Sequence, residues 1–242
     1  MYSIIKPKKF KMKKVSMVLL FALITMSSFS QAKINGFGRL QLGISVNDVP
    51  ELSNPKFLKS SDEYFDKVYE NTSDDVYEAK LDTLNLNSSF ITTTIKERIF
   101  HIGQIKLTDN ITLKDVTLKF YNDKLYSIQV KDDKIDELIT TKYGEGKAVT
   151  ETKDHTFQNG YGAKFVKTDL KKEITWNTND PQVSCYYITN FWYNDNGKLL
   201  HYEYASLNNK TIENIVDNET KMVKFRINKR EEDKKKSLVS GF

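Results

Sequence analysis

Val116-Thr117-Leu118-Lys119-Phe120 alternates apolar and polar side chains, Tyr121-Asn122-Asp123-Lys124 follows, and Leu125-Tyr126-Ser127-Ile128-Gln129-Val130 alternates again. A period of two marks a strand with one buried face, and Asn-Asp between two such runs is the chemistry of a tight turn. The stretch is therefore expected to form a β-hairpin. Val116, Leu118 and Phe120 share one face, and Ile128 and Val130 share a face of the return strand. Directly after it, Asp132 or Asp133 can cap a helix running to Tyr143, with Ile135, Leu138, Ile139 and Lys142 on one stripe. Gly144 is placed to stop that helix in the left-handed conformation. Hairpins followed by helices, rather than strictly alternating strands and helices, point to an α+β fold.

Working outward, Phe37 to Gly43 reads as a short strand. Ser45 follows as an N-cap with Asp48 three residues on, and Pro50 limits that helix to about one turn. Residues 53–75 are polar and turn-rich apart from Tyr64-Phe65 and Val68-Tyr69, and are expected to form a long loop with at most one short helix. Strands are expected from Val76 to Asn87 and from Phe100 to Leu107, the latter with a bulge where Ile105 and Leu107 change face. In the second half, Glu173 to Trp176 is a short strand and Ser184 to Tyr193 a long aromatic one. Asn194-Asp195-Asn196-Gly197 is a turn, and Lys198 to Ser206 returns. Residues 211–235 read as an amphipathic helix with Ile212, Ile215, Val216, Val223 and Ile227 on one side. Gly160-Tyr161-Gly162 is expected to be a bend between strands.

Phe120-Tyr121-Asn122-Asp123-Lys124-Leu125 and Trp192-Tyr193-Asn194-Asp195-Asn196-Gly197-Lys198-Leu199 match as aromatic-Tyr-Asn-Asp-Lys-Leu, with two residues inserted in the second. A duplication explains the match, and so does the common chemistry of hairpin tips. The expected architecture is a meander of antiparallel hairpins with a few helices packed on one face, in two similar halves, 33–145 and 146–242, or one continuous domain.

The first 32 residues hold six lysines (Lys6, Lys8, Lys9, Lys11, Lys13, Lys14) and no acid. An apolar run from Val15 to Thr25 follows, then Ser27-Ser28-Phe29-Ser30-Gln31-Ala32. A positive segment, a short apolar segment and small residues, in that order, are the layout of a signal peptide cut after Ala32. The start is either Met1 or Met12, since Met12-Lys13-Lys14-Val15 begins a tighter signal of the same kind. The apolar run is shorter than the roughly 20 residues that span a bilayer. Export therefore places residues 33–242 in the periplasm or outside the cell, without a later transmembrane segment. The formal charge of +5 belongs to the leader, since 31 basic residues then face 32 acidic ones. A nearly neutral chain gives no bulk support for tracking nucleic-acid phosphates. The mixed-sign run Lys229 to Lys236 reads as a solvated helix end.

Leu42-Gly43-Ile44-Ser45-Val46-Asn47-Asp48-Val49 resembles the opening of small exported α+β modules of the SmpA/OmlA-like and β-lactamase-inhibitor-like type, where such a stretch precedes a short helix and a meander of strands. Leu138 to Gly144 (Leu-Ile-Thr-Thr-Lys-Tyr-Gly) is similar to a helix end found in uncharacterised secreted bacterial proteins. The resemblance covers residues 38–52 and 114–145. It implies a role in protein interaction or assembly rather than catalysis. This chain lacks the lipid-attachment cysteine of the first type and the disulfide cysteines of the second.

Residues able to carry chemistry are sparse. The chain has one cysteine, Cys185, read as a buried inert thiol, and three histidines, His101, His155 and His201, with no pair at metal-ligand spacing. It holds no nucleophile elbow, P-loop or dinucleotide fingerprint. No cofactor and no metal is expected. Asp132-Asp133 fits the N-terminus of a helix dipole. Asn194 to Gly197 lacks the later acid of a calcium loop.

The suggestive feature is aromatic. Trp176, Tyr186, Tyr187, Phe191, Trp192 and Tyr193 crowd one stretch, and neighbours on a strand point to opposite faces, so one set fills the core and the other needs a cover. A helix at 211–235 is one cover; a partner is another. The candidate binding residues are Tyr187, Trp192 and Tyr193, since aromatics dominate interfaces and stack on sugars. The function expected is an exported, soluble, non-catalytic binding protein whose partner is an envelope protein or glycan. The alternative is a secreted hydrolase of an envelope polymer using scattered carboxylates or His201.

Overall fold

The computed structural model describes residues 33–58, 75–79, 96–158 and 160–239. One compact unit begins at Lys33. All described residues belong to it. The leader, the patch at Tyr64 to Tyr69 and the end of the strand expected to reach Asn87 lie outside them.

The hairpin is formed by β6 (Ile111–Tyr121) and β7 (Lys124–Val130), strands being numbered in chain order. Asn122 and Asp123 have φ of 49° and 59°. Two left-handed central residues give a turn whose twist matches the strands it joins. A register shift between Lys119 and Phe120 sets Phe120 opposite Leu125 and Lys119 opposite Ser127. Tyr126 is the extra residue, and it packs with Tyr121 rather than with Phe120.

β5 (Glu97–Thr108) pairs with β6, and its register shifts between Lys106 and Thr108, at the bulge expected there. β4 (Val76–Ala79) adds antiparallel to β5. β3 (Lys56–Leu58) adds parallel to β4, a strand where a loop was expected. On the other side β7 pairs with β11 (Leu199–Asn209), then come β10 (Val183–Tyr193), β9 (Lys164–Trp176) and β8 (Lys147–Gln158). One nine-stranded sheet therefore runs in the order β3-β4-β5-β6-β7-β11-β10-β9-β8. Ser127 to Val130 against Ala205 to Asn208 is its central seam.

Sequence reading recovers only the last four residues of β9. β8 is exposed on both faces over most of its length and β9 alternates irregularly between exposed and half-buried, so burial leaves no clean alternation to see. The bend between them is at Gly160 to Gly162, with Gly162 at φ 83°.

The core lies on the face of the sheet that carries Phe120. Phe100 and Phe120, both fully buried, meet edge to face with ring centroids 5.6 Å apart. Over them pack β1 (Gly36–Phe37), β2 (Leu40–Gln41), two 3-10 turns (Val46–Asp48 and Pro50–Ser53) and α1 (Ile135–Tyr143). The expected single strand at Phe37 to Gly43 is instead the tight β1–β2 hairpin, turned at Gly38 with φ 58°. A Cβ at Gly36 would lie 2.2 Å from the Leu40 carbonyl oxygen, so only glycine permits this approach. Ser45 closes a capping box with Asp48, as read from sequence. Gly43 N donates to Leu125 O, Leu125 N to Ile44 O and Val46 N to Asp123 O, so the Leu42 to Val49 stretch is strapped onto the β6–β7 tip.

In α1 the buried stripe is Ile135, Ile139 and Tyr143, while Lys142 is exposed. Asp132 does not cap the first turn directly. Its Oδ1 accepts from Lys134 N at 3.0 Å and its Oδ2 from Lys114 N at 3.2 Å, tying the helix entry to β6. Gly144 has φ 84° but ψ −177°, so the chain leaves extended rather than in a left-handed turn.

α2 (Lys210–Val239) begins at Asn209, whose Oδ1 accepts from Thr211 N and Ile212 N. Its Val216, with Ile212 beside it, packs against Tyr121 and Tyr126, on the face opposite Phe120. The two described α-helices thus lie on opposite faces, where packing on one face was expected. Ile215 is 42% exposed, off the side it was assigned to.

Candidate functional site

The β10–β11 pairing sets Trp192 opposite Leu200, Asn190 opposite Tyr202, Ile188 opposite Tyr204 and Tyr186 opposite Ser206. Residues directly opposite share a face, so Trp192, Tyr202, Tyr204 and Tyr186 all project from the side away from the Cys185–Ala205 core. Their rings form an unbroken row. Trp192 meets Tyr202 at 5.5 Å edge to face, Tyr202 stacks on Tyr204 at 5.9 Å, and Tyr204 meets Tyr186 at 6.2 Å edge to face.

The row is open where it matters. Tyr202 is 42% exposed, and Trp192, Tyr204 and Tyr186 are half-buried. α2 does not cover them, because its buried contacts are with Tyr121 and Tyr126 further along the sheet. Burial and the neighbouring phenols Tyr186 and Tyr202 raise the Tyr204 hydroxyl pKa, so this ring at the middle of the row stays neutral.

The three residues singled out from sequence separate. Trp192 heads the row. Tyr187, on the other face, is buried, donates to Glu203 Oε2 at 2.9 Å and has its pKa pushed up to about 12 by burial, so it is a core residue with no free surface. Tyr193 joins a different group. Lys167 Nζ lies 4.6 Å from the Tyr193 ring centroid, 5.7 Å from Phe157 and 5.6 Å from Phe165, and donates to Gly197 O at 2.6 Å. This cation among three rings fastens the outer part of the β8–β9 hairpin to the 194–197 turn. Sequence reading missed Tyr202 and Tyr204. The available signal was their spacing in His201-Tyr202-Glu203-Tyr204, which puts both rings on one face of the return strand.

The other reactive residues are engaged structurally. His101 Nδ1 is 3.1 Å from Thr117 Oγ1 in the interior. His155 Nε2 is 2.7 Å from Asp169 Oδ2 on the β8–β9 hairpin. His201 stacks on Phe191 at 5.6 Å, facing away from the aromatic row. Cys185 is fully buried, and desolvation pushes its pKa up to about 12, so the thiol stays protonated and unreactive. Among the described residues, no three His, Cys, Asp or Glu side chains gather in a metal-binding arrangement. Nor is any helix among them long and apolar enough to cross a membrane. An apolar cavity of about 250 Å³ opens between the β1–β2 hairpin, the β5–β6 tip and α1, walled by Phe37, Leu107, Ile111, Leu138 and Tyr143.

No family model matches the chain, and no curated protein or solved structure matches it either.

Proposed function

We propose that this is an exported, soluble, non-catalytic binding protein, and that the Trp192–Tyr202–Tyr204–Tyr186 row receives a component of the bacterial envelope. The observation that carries the reading is the row itself: four rings in edge-to-face and stacked contact on a sheet face that neither described helix covers. Aromatic rings supply large contact area at low entropic cost, and their flat faces suit both protein side chains and sugar rings. The leader-like segment at 1–32 supports export, and the resemblance of Leu42 to Val49 to exported interaction modules supports an assembly role. A secreted hydrolase using His201 gains nothing from a ring committed to stacking on Phe191.

The test is capture from an envelope extract by the immobilised protein, with a Trp192→Ala/Tyr202→Ala double variant alongside. Truncating two contact aromatics is expected to cost about 2–4 kcal/mol of binding, a loss of thirtyfold or more. Protease and glycosidase treatment of the captured material separates a protein from a glycan partner. A partner held equally by both proteins would move the site elsewhere, and no partner would overturn the reading.

A further inference from the structure

We infer that the protein pairs with a second copy of itself along β8, antiparallel and centred on Thr152, so that two nine-stranded sheets become one continuous sheet. β8 is an edge strand of twelve residues. It pairs with β9 over its whole length without a register break and carries no proline. Its residues from Lys147 to Asp154 are exposed on both faces. The opposite edge, β3, has only three residues. Natural sheets usually blunt long edges with bulges, prolines or charged side chains; β8 has neither bulge nor proline, and its charges are of both signs, which a complementary strand can neutralise.

The sequence of β8 chooses the partner. About a two-fold axis through Thr152, Glu151 faces Lys153 of the second copy and Lys153 faces its Glu151. Thr150 then faces Asp154, Val149 faces His155, and Thr152 faces itself. Glu151 and Lys153 have no ion-pair partner within 4 Å among the described residues, so both charges are available. Moving the axis to Glu151 opposes Glu151 to Glu151. Moving it to Lys153 opposes Lys153 to Lys153. Half-step shifts either oppose no charges or set Glu151 against Asp154. Among axes within one residue of Thr152, only Thr152 itself places opposite charges face to face; an axis at Val149 also opposes Lys147 to Glu151, but it pairs only the span Lys147 to Glu151, whereas the axis at Thr152 pairs the span Lys147 to Phe157. Opposed charges across antiparallel strands stabilise, and like charges destabilise. An isologous contact repeats each pair, which doubles the effect of any single change.

The experiment is sedimentation equilibrium of the purified protein and of three exposed-site variants: Glu151→Lys, Lys153→Glu and the double reversal. A dimer is expected for the native protein. Each single reversal turns two attractive pairs into two repulsive ones and is expected to weaken the dimer by about tenfold or more. The double reversal is expected to restore the native constant within about threefold. The Thr152→Cys variant is expected to give a disulfide-linked dimer under mild oxidation, since Cys185 is fully buried. Unchanged circular dichroism and melting of each variant confirm that folding is intact. A monomer at high concentration would overturn the inference. So would a dimer indifferent to the single reversals, a double reversal that fails to restore it, or a Thr152→Cys variant that does not cross-link.

Discussion

At the scale of single residues, one buried acid works against the fold at neutral pH. Glu97 is buried and accepts from the Tyr126 hydroxyl at 2.6 Å. Desolvation raises its pKa, Asp217 and Glu219 on α2 push the same way, and Tyr126 and Lys119 oppose them. Glu213, also on α2, is raised by burial and by Asp217. A carboxyl with a raised folded pKa binds more protons folded than unfolded in the interval between its two pKa values. Stability there must fall as pH rises. The protein is therefore expected to gain stability on acidification from neutrality toward the ordinary carboxylate pKa. Glu97→Gln keeps an acceptor for Tyr126, and urea melts across that interval are expected to show higher stability at pH 7 and a flatter pH slope. A slope unchanged by the substitution would refute the assignment.

At the scale of elements, the sheet separates parts that burial specifies from parts that it does not. The β6–β7 hairpin, the Ser45 capping box and the bulge near Leu107 were legible because each leaves a local mark: alternation, a spaced Ser and Asp, or a phase slip. The β8–β9 hairpin was not, since an edge strand wet on both faces and a half-buried, lysine-rich partner carry no clean periodic signal. Tyr187 shows the same limit at the candidate site. Alternation puts it and Trp192 on opposite faces, but which face receives α1 and which stays open depends on where the chain returns, and no local residue records that. The outer part of the β8–β9 hairpin depends on Lys167 set among Phe157, Phe165 and Tyr193. Lys167→Ala is expected to cost about 1 kcal/mol and to raise proteolytic cutting near Tyr161, which is 99% exposed, before the core melts. Simultaneous loss of hairpin and core signals would argue that the cluster supports the whole sheet instead.

At the scale of the whole molecule, stability is concentrated between the Phe120 face and what packs on it, and α2 is attached by its first turns. Val216 is its buried residue, Glu219 accepts from Tyr121 Oη and Lys96 Nζ at 2.8 Å each, and beyond them Met222 and Phe225 are 56% and 68% exposed. Ending the chain after Ile227 is expected to shift the melting temperature by less than about 2 °C, because exposed changes stay within about 0.5 kcal/mol. A large drop would mean that the distal helix is anchored. The seam between β7 and β11 has a different consequence, in time rather than in energy. It joins Ser127–Val130 to Ala205–Asn208, so the middle of the sheet is also one of its most distant pairings along the chain. A nascent chain can complete β5, β6 and β7 and still hold the inner border of that meander unpaired until β11 has been made. Loop closure over that span makes folding slow, on the order of milliseconds to seconds. The chain stays without its central pairing until β11 has been synthesised.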